Sequence, residues 1–113
     1  MHEIGLMQTC LELACDQARL HGARRIDGIT LRVGDLSGAV PEALELAFEV
    51  VSPGTVAEGA RFLVERVAVL CRCAACASDF YPTDVVFECP CCGRPSADVR
   101  QGRELELTNL EVS

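Results

Sequence analysis

The chain has no tryptophan, and only 4% of its 113 residues are aromatic although half are hydrophobic. Its core must therefore rest on Leu, Val, Ile and Ala. The length allows one modest core plus a small satellite. No apolar run approaches the roughly 18 residues that a membrane span needs, so no membrane partner is expected. The opening Met1-His2-Glu3 has no basic stretch or cleavage site behind it. No signal peptide is expected, and the cytoplasm is the expected compartment. Histidine is scarce, with two residues in the chain. No Ser-His-Asp or His/Glu constellation is visible, so no catalytic residue is assigned and no enzyme is expected. Basic charge is the last deficit, since the formal net charge is −7.

What the chain does have is cysteine. Six of the eight cysteines lie between Cys71 and Cys92. Without an export signal, such a cluster reads as metal ligands rather than disulfides. Two Cys-x-x-Cys pairs can be drawn, Cys73 with Cys76 and Cys89 with Cys92. Each pair has the reach to put two thiolates on one face of a tight turn, and four sulfurs at about 2.3 Å satisfy a tetrahedral zinc ion. Pro90 pre-sets the second turn, and Gly93 supplies positive φ there. Cys71 and Cys91 are extra thiols, so Cys71 in place of Cys73, or Cys91 in place of Cys92, remain open alternatives. The two-residue spacings are favoured because zinc knuckles use them more often. The same thiolates also suit one iron, which keeps a rubredoxin-like electron carrier as a competing reading. A zinc-ribbon interaction module is another. Nucleic acid is disfavoured as its partner, because phosphate neutralisation needs a basic face. Residues 77 to 88 hold Asp79, Asp84 and Glu88 and no Lys or Arg, and a four-thiolate zinc site takes the net charge to about −9.

Around the cluster, periodicity gives an order of elements. Met7, Cys10, Leu11, Ala14 and Ala18 recur on one face and predict a helix over 4–21, closed by Gly22. Cys10 and Cys15 lie about 140° apart on it and make a poor metal pair. His21 near its end reads as a favourable end charge or a solvated residue. Ile29, Leu31 and Val33 alternate and predict a strand over 26–33. After the turn Gly34 to Gly38, Pro41 opens a second helix with Leu44, Ala47, Phe48 and Val51 inside. Residues 60–71 predict a strand whose apolar phase flips, which a bulge near Glu65-Arg66 or two-sided burial would reconcile. Residues 103–112 flip likewise, from Leu105 and Leu107 to Leu110 and Val112, which makes the two strands candidate neighbours. A cysteine module inserted between two strands of one sheet is the natural arrangement. The expected units are 1–70 with 100–113, and 71–99, with hinges at 70–72 and 97–102.

The chain start offers a second metal site. A bulky His2 disfavours removal of Met1, which leaves a free amine one residue from an imidazole. The Met1 amine, the His2 amide and imidazole, and the Glu3 amide form fused chelate rings in a square plane. Such nitrogen sites favour Ni(II) or Cu(II). Glu3 has a second possible use, offering its carboxylate or holding the imidazole. Asp35 is a nearby oxygen or, more simply, a turn residue.

Met1-His2-Glu3-Ile4-Gly5-Leu6, Val33-Gly34-Asp35-Leu36-Ser37-Gly38, Pro41-Glu42-Ala43-Leu44, Gly54-Thr55 with Ala57-Glu58-Gly59, and the paired Cys-x-x-Cys motifs together resemble the HypA/HybF family of hydrogenase nickel-incorporation proteins. The resemblance runs nearly end to end. It implies a nickel metallochaperone that receives Ni(II) at the N-terminus and passes it toward the large subunit of [NiFe]-hydrogenase, working with the GTPase HypB. Some relatives serve urease maturation too. It implies that His2 is the nickel ligand with Glu3 as its motif neighbour, and that Cys73, Cys76, Cys89 and Cys92 hold a structural zinc. The implied fold is α+β: two helices packed on a three-stranded mixed sheet, with an inserted zinc-ribbon-like module of four cysteines. A monomer or weak dimer is expected.

Overall fold

The structure, a computed structural model, describes residues 2–113. The first helix, α1 (His2–Leu20), buries Met7, Leu11, Ala14 and Ala18, which share one face at helical spacing. It starts two residues earlier than the periodicity predicts, because its first turn adds little to the apolar stripe. Gly22 ends it at φ +69°. The Ala23 amide donates to the Ala18 carbonyl and the Gly22 amide to that of Arg19, the paired bonds of a Schellman stop.

Strand β1 (Ile26–Gly34) is the centre of the main sheet and buries Ile29, Leu31 and Val33 on one face. Helix α2 (Pro41–Val51) follows, with Leu44, Ala47 and Phe48 turned inward. It leads to β2 (Arg61–Val67), which pairs parallel to β1. The last strand, β6 (Leu105–Val112), pairs antiparallel on the other side, giving the order β2-β1-β6. Both helices and the inner face of this mixed sheet enclose one core. Gly28 lets Arg61 of β2 meet Glu111 of β6 across the middle strand, since a Cβ there would crowd both side chains at 3.2–3.3 Å.

The segment 60–71 is not one strand. It ends as β2 at Val67 and resumes as β3 (Leu70–Cys73) in a different sheet. The β1–β2 register runs unbroken from Arg61 to Val67, so the bulge expected near Glu65-Arg66 is not there. The phase flip marks a change of sheet. The flip in β6 is a bulge: Thr30 pairs with Asn109 and Leu31 with Leu107, which leaves Thr108 as the extra residue. Leu107 and Leu110 thereby point to the same core. The strands with matching flips are not neighbours, because β1 lies between them.

A second sheet carries the cysteines. Strands β4 (Ser78–Phe80) and β5 (Val99–Gln101) flank β3, both antiparallel. Cys71, Cys73, Phe80 and Cys89 form its small core with Val69, Phe87 and Val99. The segments expected as hinges are thus paired with each other, Leu70 with Gln101 and Cys71 with Val99. At the join between the sheets, Leu36 donates to the Gly102 carbonyl at 2.7 Å and Gly34 to that of Glu104 at 2.7 Å. A Cβ on Gly34 would sit 2.1 Å from the Gly102 oxygen.

Helix directions place the chain start. Near the Gly34 end of β1, Leu6 shares a groove with Leu44 of α2 and Leu105, whose partner is Val33. At the other end, His21 and Ala18 lie by Val112, whose partner is Ile26. Helix α1 therefore runs antiparallel to β1. Its N-terminus, the N-terminus of α2 and the exits to the cysteine sheet all gather at the Gly34 end. The molecule is long, 54 × 28 × 17 Å with a radius of gyration of 17.5 Å, against about 13 Å for a compact domain of this length.

Candidate metal centre

Two tight turns build the cysteine site. Cys73 and Cys76 flank Ala74-Ala75, and the turn is followed by Ala77 at φ +51°. Cys89 and Cys92 flank Pro90-Cys91, and that turn is followed by Gly93 at φ +73°. Both knuckles use a left-handed residue directly after the second cysteine, but only one uses glycine. An alanine there carries a steric cost of about 1 kcal/mol, which the surrounding turn must hold. Gly93 donates to the Cys89 carbonyl at 2.8 Å and Cys89 donates to that of Arg94 at 2.9 Å, which closes the second knuckle.

The four sulfurs of Cys73, Cys76, Cys89 and Cys92 lie within 4.8 Å of one another. Cys73 Sγ is 3.6 Å from Cys92 Sγ, and Cys89 Sγ is 3.9 Å from Cys76 Sγ. Sulfurs at the corners of a zinc tetrahedron with bonds of about 2.3 Å stand about 3.8 Å apart. The donor set and its spacing fit that ion. The electrostatics prepare the site for a cation. Amides of Cys92 and then Cys91 donate to the Cys89 sulfur and bring its pKa down to about 6, against the opposing effect of burial. Cys76, sharing protons with the Cys92, Cys73 and Cys89 sulfurs, is pushed up to about 12.

The two extra thiols lie outside the cluster. Cys71 is fully buried in the module's core, and burial raises its pKa, with Asp98 adding to the effect. Cys91 points into solvent. Cys10 is half-buried against the main core, and burial pushes it up to about 11. These three read as packing or surface residues.

At the other candidate site, the Met1 amine lies outside the described residues. His2 and Glu3 form the first turn of α1. The His2 side chain is 61% exposed, and its Nδ1 lies 3.5 Å from Glu3 Oε2. Amides in the first turn of a helix have no upstream carbonyl to bond, so the His2 and Glu3 amides are not committed to the helix ladder. The Glu3 carboxylate is held below the usual carboxylate range, chiefly by its own amide, with His2 and the Val40 amide also drawing on it. The start of α2 thus lies close enough to influence the Glu3 carboxylate, a proximity that nothing in the sequence pattern marks and that follows from the parallel run of the two helices. Asp35 pairs with Arg66 at 3.6 Å, as a turn residue would.

Comparison with known proteins agrees across the chain. A family model described as HypA, hydrogenase/urease nickel incorporation, metallochaperone, matches residues 1–112. The hydrogenase maturation factor HypA of Picosynechococcus sp. is 45% identical over 112 residues, 99% of each chain. That of Geotalea uraniireducens is 41% identical over the same span. The solution structure of the Ni metallochaperone HypA from Helicobacter pylori superposes with a TM-score of 0.68 at 22% identity, covering 97% of this chain and 96% of that one. A second HypA solution structure gives 0.73 at 23% identity, covering 100% and 97%. At those identities the structures establish the fold: two helices on a mixed three-stranded sheet with a four-cysteine cluster.

Proposed function

This chain belongs to the HypA family of hydrogenase nickel-incorporation metallochaperones, and from that premise we propose how its two ends divide the metals. Ni(II) is cargo. It is received by the Met1 amine, the His2 amide and imidazole, and the Glu3 amide, with the Glu3 carboxylate steadying the imidazole. Zn(II) is structural, held by Cys73, Cys76, Cys89 and Cys92. The observation that carries the nickel assignment is the exposed His2 imidazole on a helical turn whose amides have no carbonyl partner. Nitrogen donors in a plane suit Ni(II), and removing the amide protons breaks no helix bond.

The division follows from exchange chemistry. A terminal, solvent-facing site can be dismantled ligand by ligand as an acceptor's donors replace the chain's own. A closed four-thiolate site contributes on the order of 10–16 kcal/mol in zinc peptides and does not give up its ion so easily. The protein binds and transfers, and makes no bonds of its own. Its partners are the GTPase HypB and the [NiFe]-hydrogenase large subunit, with urease maturation as a second destination. No helix among the described residues is long and apolar enough to cross a membrane, which suits work in the cytoplasm. Residues 1–70 with 100–113 form the nickel-binding unit and 71–99 the zinc unit. An iron-carrier role finds no support in these comparisons.

The test is a calorimetric titration of Ni(II) into zinc-loaded wild-type and His2→Ala proteins. The wild type should bind one Ni(II) per chain, and His2→Ala should lose at least about 100-fold in affinity, as loss of ligands and their fixing partners commonly does. Affinity should also fall at least about tenfold per pH unit below neutrality, since each displaced proton competes with the metal. Equal affinity in the two proteins would refute the assignment.

A further inference from the structure

Both cysteine knuckles end on a residue in left-handed conformation, but they do not end alike. Ala77 has φ +51° and is the one non-glycine residue with positive φ among those described. Gly93 holds the matching place in the second knuckle at φ +73°. Glycine adopts this region without strain. In an L-residue the Cβ crowds the following carbonyl oxygen there, and alanine has no polar side-chain atom to bond locally in return. Strain of that kind persists only where neighbours hold it, and it gathers at functional sites.

The supports around the two knuckles differ as well. Cys73 and Cys89, the inner sulfurs, are 3% and 2% exposed and belong to the module's core. Cys76 and Cys92, the outer sulfurs, reach solvent. The loop that carries Cys92 is closed by the bond from Gly93 to the Cys89 carbonyl. Among the described residues, no backbone bond runs from Ala77 to the Cys73 carbonyl, and Ala74, Ala75 and Ala77 are all exposed. Beyond Ala77, Ser78 is fixed by its pairing with Cys73. Rotation of Ala77 back to negative φ therefore moves the loop, and it carries Cys76 away from the other three sulfurs.

We infer that Ala77 sets the order in which the four-thiolate site opens: Cys76 is the first ligand to let go, and Ala77 is the positioning residue that makes it labile. The inference rests on the reading of the cluster as a zinc site. Letting go leaves the bonding electron pair on the Cys76 sulfur and a vacant corner that faces solvent, where an incoming ligand enters. That step relieves the strain at Ala77. Opening the Cys92 corner relieves none, because Cys92 precedes a relaxed glycine. Four equivalent thiolates would give the site no preferred exit; the alanine gives it one.

The test uses the full zinc-loaded chain in a Cys91→Ser background, because Cys91 is exposed whatever the cluster does. Zinc release into an excess of a chromogenic pyridylazo chelator is followed by absorbance. Ala77→Gly should slow release about threefold or more, which is the strain of a left-handed alanine less the extra freedom of glycine in the opened loop. Gly93→Ala, whose Cβ would meet nothing within 4 Å, should speed release by a similar factor. A brief pulse of iodoacetamide, read by peptide mass spectrometry, reports which sulfur is freed first. Label in the parent chain should favour Cys76 over Cys92, and A77G/G93A should reverse that preference. A merely structural role for Ala77 would change stability and leave the preference where it was. Release from A77G at the parent rate, or equal labelling of Cys76 and Cys92 in the parent chain, would overturn the inference and leave the zinc reading standing. A parent chain that takes up no zinc would overturn the zinc reading and this inference with it.

Discussion

At the scale of single residues, position decides role more than residue type does. Eight cysteines share one chemistry, but only four of them converge. Cys91 sits between two cluster members and still faces solvent, because the knuckle turns its side chain outward. Cys91→Ser should therefore leave the bound zinc at one per chain, whereas Cys89→Ser should abolish it, as checked by atomic emission on the purified proteins. Cys89 also gives a pH signature in metal-free protein. Its folded pKa of about 6 lies below the ordinary thiol value of about 8.5. Its thiolate therefore stabilises the empty module most above that ordinary value, and the contribution fades as pH falls through about 6. Ultraviolet thiolate absorbance should show one ionisation near that pH, lost in Cys89→Ser. A first ionisation near the ordinary thiol value would contradict the amide contacts that depress it.

At the scale of elements, the join between the two sheets is the most constrained part of the fold. Gly34 is buried against the Gly102 carbonyl, while Gly102 takes φ +121° beside Val69. Gly34→Ala should destabilise the chain by about 3 kcal/mol or more, because backbone on both sides must move. Denaturant unfolding monitored by circular dichroism checks this; a loss under about 1 kcal/mol would mean the join is loose. Sequence periodicity reached the helices and β1 because each presents one apolar face to one core. It failed where strands serve two environments. Val67, Val69 and Cys71 look like one strand out of phase with Phe62 and Val64, but the chain leaves one sheet and enters another between Val67 and Leu70. Periodicity reports which residues are buried, and it cannot report against which core. The β6 bulge was hidden for a related reason, since Thr108 restores the face that Leu107 and Leu110 share. The paired cysteines were legible because knuckle spacing is a local constraint. Val40 and Gly102 were not, because their roles come from neighbours distant in sequence.

At the scale of the whole molecule, the fold gathers the start of α1, the start of α2 and the exits to the cysteine sheet at one end of an α/β unit, and it projects the four-cysteine module from that same end. The cysteine stretch dominates the sequence, but it is closed, buried in part, and suited to holding an ion. The start of α1 is short, exposed and suited to releasing one. The central claim is that nickel binds at the chain start and not in the cysteine cluster. Nickel-edge X-ray absorption on the protein carrying one zinc and one nickel tests it most directly. The account predicts nitrogen and oxygen neighbours with an imidazole signature, no sulfur around nickel, and four sulfurs still around zinc. Sulfur bound to nickel, with zinc displaced from the cluster, would contradict it.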